Sequence, residues 1–171
     1  MEDNARTRDL FVTGLRNAHA MESQALSIMR SQLGRIKNYP DVARRLEQHI
    51  TETEGQQRRL EAVLDSCGES RSGLKDAALS LGGTMAALGH TPAGDEILKD
   101  AFADFAFENY EIAAYTSLLS LAERLGEQSA VEPLRQSLEE ERAMADWIEQ
   151  NLTGLTEQFA SLREAREPAK I

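Results

Sequence analysis

Carboxylates and imidazoles interrupt the apolar register of this chain, and that mixture of residue types can hold a metal ion. Apolar positions spaced alternately three and four apart run Val12, Leu15, then His19 and Glu22, then Leu26, Met29, Leu33 and Ile36. A second run passes from Val42 and Leu46 through His49, Thr53 and Gln56 to Leu60 and Val63. A third places Glu108 between Ala101, Phe105 and Ile112, Tyr115, Leu119, Ala122, and a fourth places Glu141 between Leu134, Leu138 and Ala145, Ile148, Leu152. An ionised carboxylate in an apolar core is costly, so three that converge must be protonated, paired with cations, or coordinated to metal. Carboxylate and imidazole together suit iron, manganese or zinc.

Three pairs share a helical face at a spacing of three: His19 with Glu22, His49 with Glu52, and Glu108 with Glu111. Taken singly, such a pair reads as a surface hydrogen bond. Glu108 and Glu141 carry more weight, because apolar residues continue the register on both sides, and they read as metal ligands or as a buried hydrogen-bond network. Thr53 and Gln56 favour the network. Glu52 and Glu111 fall at the flank of their stripes, while Glu139 and Glu140 read as solvated charge. Met21, Met29, Met85 and Met144 read as core filler, Tyr110 and Tyr115 as packed rings, and His90 as a loop residue.

Helices must position these residues. The first is expected from about Thr7 to Lys37, ending before Pro40, which blocks helical geometry at Tyr39 and starts the second helix. The second runs to about Ser66 and stops at Gly68. Residues 69–90 hold one short apolar helix, from about Leu74 to Leu88. Thr91-Pro92 reads as the start of the third helix, Gly126 as its end, and Ser129 with Glu132 as a capping box for the fourth, which ends near Leu152. Leu155, Phe159 and Leu162 form a terminal piece that docks on the surface, and Arg163 to Ile171 reads as frayed. The expected fold is all-α: a single ferritin-like four-helix bundle with its core over about 7–152, made of two antiparallel hairpins joined by one long crossover.

Composition narrows the partners. The chain has 171 residues, a formal net charge of -10 and only 5% aromatic residues, and it is rich in Ala, Leu, Glu, Gln and Arg, which favours helix over sheet. No basic cluster exceeds a pair such as Arg58-Arg59, so nucleic acid is not an expected partner. No stretch approaches the roughly 20 apolar residues of a membrane span, and the first residues lack a secretory pattern. The single Cys67 leaves no internal disulfide, and a cytoplasmic protein is expected.

The segments HAMESQAL (His19 to Leu26), EQHITETEGQQRRLE (Glu47 to Glu61), FENYEIAAYTSLLSLAE (Phe107 to Glu123) and LEEERAMADWIE (Leu138 to Glu149) carry a likeness. Through them the chain resembles the ferritin-like stress proteins of the YciE/YciF type, over roughly Leu10 to Leu152. The resemblance implies a four-helix relative of rubrerythrin and bacterioferritin that forms a homodimer. Bacterioferritin's fourth helix has Glu-x-x-His before an Asp-Trp pair; here Glu141 and Asp146-Trp147 match, with Met144 at the histidine position. A rubrerythrin-like Glu-x-x-His before Arg-Leu falls on Thr53 and Gln56, ahead of Arg59-Leu60. Both motifs are broken, while glutamates remain on helices one, three and four.

Two readings stay open. In one, Glu22, Glu108 and Glu141 are the central carboxylates of a site for iron, manganese or zinc, dinuclear in the case of iron or manganese, with His49 as the imidazole and Glu52, Glu111 and His19 completing or orienting it. Iron there would react with oxygen or peroxide in stress protection. In the other, the protein is metal-free, and the polar layer fixes helix register while outer faces bind partners.

Overall fold

Proline and glycine punctuate the chain as their backbone chemistry requires. Pro40 occupies the first turn of a helix, and Gly68 and Gly126 adopt left-handed φ of 74° and 75°, a region open to glycine without strain from a β-carbon. The computed structural model describes residues 2–69 and 94–171. Within them lie four helices: α1 (Glu2–Leu33), α2 (Pro40–Ser66), α3 (Glu96–Leu125) and α4 (Gln128–Glu164), with no strand among the described residues. The expected short helix over 74–88, Met85, His90 and the Thr91-Pro92 start fall outside the described residues.

Each helix packs on two neighbours, α1 on α2 and α3, α4 on α3 and α2. Every neighbouring pair is antiparallel. Arg8 near the start of α1 reaches the carbonyl of Cys67 just beyond α2, and Gln32 near the end of α1 bonds Asp104 near the start of α3. Gln56 and Arg59 of α2 likewise meet Glu140 and Ser137 of α4. The end of α2 and the start of α3 therefore lie at opposite ends of the bundle, the arrangement of an all-α four-helix bundle with one crossover. The core between them is filled by Phe11, Leu15, Leu60, Leu64, Tyr115 and Leu134, all at most 1% exposed.

Several boundaries differ from expectation, each for a local reason. α1 stops at Leu33, because Gly34 follows and the chain turns through bonds from Arg35 and Ile36 to the Gln32 carbonyl to bury Tyr39. α3 begins at Glu96; the Asp95 carboxylate at the position before it pairs with Lys99 Nζ at 3.0 Å and leaves the helix end uncapped by a side chain. The Ser129–Glu132 capping box does not form, since the tight turn at Gly126 starts α4 already at Gln128.

The largest difference is at the C-terminus. α4 runs unbroken through Gly154 to Glu164, because Leu155, Phe159 and Leu162 pack with buried Tyr39 and Ile97. An interior glycine costs about 1 kcal/mol against alanine, which that apolar contact offsets. The last residues are docked rather than frayed. Lys170 O accepts from Ile97 N–H at 3.0 Å, Ala169 O accepts from the Tyr39 hydroxyl, and Asn38 Nδ2 donates to the Pro168 and Ile171 carbonyls. Lys170 Nζ lies 2.8 Å from Glu96 Oε2, and Arg35 Nε grips the other oxygen, Oε1, at 2.7 Å.

Removing residues 167–171 strands the Tyr39 hydroxyl and the Ile97 N–H. With roughly 1–3 kcal/mol for each donor left unsatisfied, the truncated protein is expected to melt about 5–15 °C lower. A melting temperature within about a degree of full length would show that the docked tail contributes nothing.

Candidate metal centre

Midway along the bundle three helices aim polar groups at one point. His49 of α2, Glu108 and Glu111 of α3 and Glu141 of α4 are all buried, and one ligand atom from each lies within 4.8 Å of the others. Donors on opposite sides of an ion bound at about 2.1 Å stand about 4.2 Å apart, so a small contraction closes this set on one ion. His49 Nε2 is 3.2 Å from Glu108 Oε2 and 3.4 Å from Glu141 Oε2. Neither contact has hydrogen-bond geometry. Glu108 Oε2, Glu111 Oε1 and both oxygens of Glu141 have no hydrogen-bond partner among the described residues. Buried acceptors without donors, beside an imidazole, fit a divalent transition metal on the chemistry of the donor set.

The other ring nitrogen is held from behind. Glu52 Oε2 lies 2.9 Å from His49 Nδ1, and Glu52 is itself held by Arg45 Nη1 at 3.0 Å and Gln48 Nε2 at 2.7 Å. A carboxylate on Nδ1 keeps a proton there and aims Nε2 at Glu108 and Glu141, the orientation a metal-binding imidazole needs once the Nε2 proton is given up.

Electrostatics in this dry layer are one-sided. Burial lifts Glu22 and Glu111 well above the ordinary carboxylate range, and the charge of Glu141 adds to both. Burial also lifts Glu141 to about 8 against the pull of His49. Burial depresses His49, but the surrounding carboxylates, Glu108 first, outweigh it and hold the ring well above its usual value. Glu52, where the partners His49, Gln48 and Arg45 outweigh desolvation, falls to about 2.

The candidates read from sequence separate into distinct roles. Glu111, expected at the flank of its stripe, is 1% exposed and belongs to the four-residue cluster, because the buried face of α3 runs through Phe107, Glu108, Glu111 and Tyr115 rather than through Phe105 and Ile112. Glu22 is fully buried and lies within electrostatic reach of Glu141, and its Oε1 accepts the Tyr115 hydroxyl at 2.6 Å. His19 is not brought to the cluster; its Nε2 lies 3.2 Å from Glu61 Oε1 at the partly buried seam of α1 and α2. Glu140 is not simply solvated: it takes Gln56 Nε2 at 3.2 Å and the Arg59 guanidinium. Sequence reasoning missed Asp104, whose carboxyl burial lifts to about 7, and its partner Gln32 at 2.8 Å. Its signal was present, one turn before Glu108 on the same face.

These shifts set the pH response of metal-free protein. Glu22, Glu111 and Glu141 stay protonated in the fold where the unfolded chain ionises near 4.5, so stability falls as pH rises from there toward about 8. His49 acts in the same direction, its contribution full below about 6.5 and lost as pH climbs through the raised folded value. Glu52 acts oppositely, its contribution present above 4.5 and lost toward pH 2. Chelator-treated protein is therefore expected to melt highest near pH 5 and at least about 5 °C lower at pH 8. A melting curve flat or rising over that interval would contradict the protonated layer.

Known proteins share this architecture. Protein YciF of Escherichia coli (strain K12) is 31% identical over 146 residues, covering 79% of this chain and 83% of that protein. The crystal structure of the E. coli stress protein YciF matches with a TM-score of 0.69 at 27% identity, over 86% of this chain and 97% of that one. That of a protein from Xanthomonas campestris pv. campestris matches with a TM-score of 0.78 at 28% identity, over 93% and 99%. A family model described as "Domain of unknown function (DUF892)" matches residues 6–161, and the chain belongs to that family.

Proposed function

We propose that the protein is a cytoplasmic ferritin-like metal-binding protein whose His49, Glu108, Glu111 and Glu141 hold iron, with Glu22 beside them, and that it reacts with oxygen or peroxide in stress protection. The observation that carries this reading is the set of buried carboxylate oxygens without donors around one oriented imidazole. Likeness to a protein titled a stress protein agrees with it by analogy only. Bound iron would supply one-electron chemistry, two ferrous ions from two such centres together giving the two electrons that, with two protons, would convert one dioxygen to hydrogen peroxide.

The chain's own residues perform the rest. Glu111 and Glu141 would give up their protons to a bound cation, and together with Glu108 they would supply negative charge that favours a ferric ion. His49 offers Nε2 once Glu52 holds the proton at Nδ1. Surrounding Leu46, Tyr115, Leu138 and Met144 exclude bulk water. We take the protein to be a homodimer, with exposed Leu10 and Tyr110 on one groove between α1 and α3 as the face for a second copy; sedimentation at micromolar concentration tests this.

One observation favours a metal-free layer instead. Gln56 Nε2 and the Arg59 guanidinium of α2 bond Glu140 and Ser137 of α4 beside the site, as a network that fixes register would. Anaerobic loading with ferrous iron, desalting and elemental analysis separate the two readings. Stoichiometric iron is expected in the wild type and none in Glu108→Gln or Glu141→Gln, while Glu52→Gln keeps the stoichiometry with about 10–100-fold weaker affinity. Wild-type protein that retains no transition metal, with both Gln variants folded and more stable, would establish the network and end the metal reading.

A further inference from the structure

A cavity lies among the four helices toward the end of the bundle where α1 stops. Its free volume is about 40 Å³, against the roughly 10–15 Å³ that one water-sized molecule needs on that measure. Much of its lining is apolar, but one wall is not. Gln32 of α1 and Asp100 and Asp104 of α3, the two aspartates one turn apart, bring amide and carboxylate groups to it, and exposed Asn151 of α4 joins them. Gln32 is 1% exposed; its Nε2 donates to Asp104 Oδ1 at 2.8 Å, and its Oε1 has no hydrogen-bond partner among the described residues. A buried amide oxygen beside carboxylates calls for a donor or a cation at that wall.

Charge favours the cation. Arg35 reaches Glu96 Oε1 at 2.7 Å and Asp100 Oδ2 at 3.5 Å, and Lys170 holds Glu96 Oε2, so two basic side chains meet two carboxylates. Asp104 has the neutral amide of Gln32 and, among the described residues, no basic side chain in contact. Burial first, and then the charge of Asp100 against the bond from Gln32, lift its carboxyl to about 7. Water gives Gln32 Oε1 its donor, and a proton neutralises Asp104; a single cation does both.

We propose that this wall is a second cation site, for a hard divalent ion of the magnesium or manganese class, bound directly by Gln32 Oε1 and the Asp104 carboxylate and through water by Asp100. Oxygen donors without imidazole or thiolate suit such ions, which keep several of their own waters and take only one or two carboxylates. The rest of the cavity has room for those waters, and its apolar lining restricts their exchange with bulk solvent. The ion ties α1 to α3 one turn before Glu108, on residues that share no member with the His49 cluster. The site stands whether or not that cluster takes iron.

Trp147, the one tryptophan of the chain, lines the same cavity and reports on it. Terbium, a hard ion whose emission indole sensitises, is expected to emit on excitation of Trp147 in the wild type and in Glu141→Gln, and magnesium is expected to displace it. Asp104→Asn, which turns an anionic ligand into a neutral one, is expected to bind terbium at least about tenfold more weakly, as is Gln32→Met, the variant to use should Asp104→Asn not fold. No sensitised emission in the wild type, or affinity unchanged in both cavity variants, overturns the site. Emission lost in Glu141→Gln and kept in Asp104→Asn also overturns it, by placing the ion at the His49 cluster. Iron stoichiometry measured on Gln32→Met is expected to match the wild type, so that failure of one site is not read as failure of the other.

Discussion

Everything at the centre of this bundle answers to one electrostatic constraint: four buried carboxylates and a single imidazole share a dry layer. Desolvation alone raises Glu22, Glu111 and Glu141 out of their ordinary range, and each ionised neighbour raises the others further. His49 is the one cationic group in direct contact, and its own burial opposes the charge that its neighbours demand. Such a layer has few stable states. It can hold protons, or it can hold a cation, and it cannot remain both empty and fully ionised without cost.

The helices are arranged to make that layer possible. Long antiparallel elements meet on all four sides, so each contributes a polar residue at one level while the turns above and below stay apolar. Anchors far from the layer keep the levels matched. Arg8 on the Cys67 carbonyl pins one end of the α1–α2 hairpin, and the docked C-terminal tail closes the other end around Tyr39, Ile97 and Glu96. A shift of one residue along any helix would carry its carboxylate about 100° away from the cluster. Burial of Leu155 and the tail bonds therefore acts on the site at a distance, by fixing the register of α4.

Much of this could be read from residue order because the apolar period is strong. The four core helices, the turn at Pro40 and the glycine stops at Gly68 and Gly126 follow from local backbone chemistry, and Glu22, Glu108 and Glu141 stood out because the register continued on either side of them. What local pattern did not carry was rotation and partner choice. Glu111 and Ile112 are neighbours in sequence, and only packing of α3 against α1 and α4 decides which faces inward. His19 fits the apolar register on paper, yet Ala18, Met21 and Glu22 take the interior and leave it at the seam with Glu61. The tail bonds span more than seventy residues of sequence separation, which no periodicity reports.

Gln56 on α2 and Met144 on α4 take opposite roles, and this makes the centre asymmetric. Gln56 joined a hydrogen-bonded set with Glu140 and Arg59, so that half of the layer carries a fixed guanidinium whose charge reaches Glu22. Glu22 also receives the Tyr115 hydroxyl. Met144 instead packs among Leu46, Ile148 and Leu152, and the half of the layer beside it, with Glu108, Glu111 and Glu141, has among the described residues His49 alone in contact to offset three carboxylates. Where the protein supplies its own cation and donor, an incoming metal ion gains less. Where buried acceptors stand without donors, it gains most. On the proposed metal reading, the pull on a first ion would therefore be toward His49, and the oriented imidazole, rather than the count of glutamates, would decide where it settles.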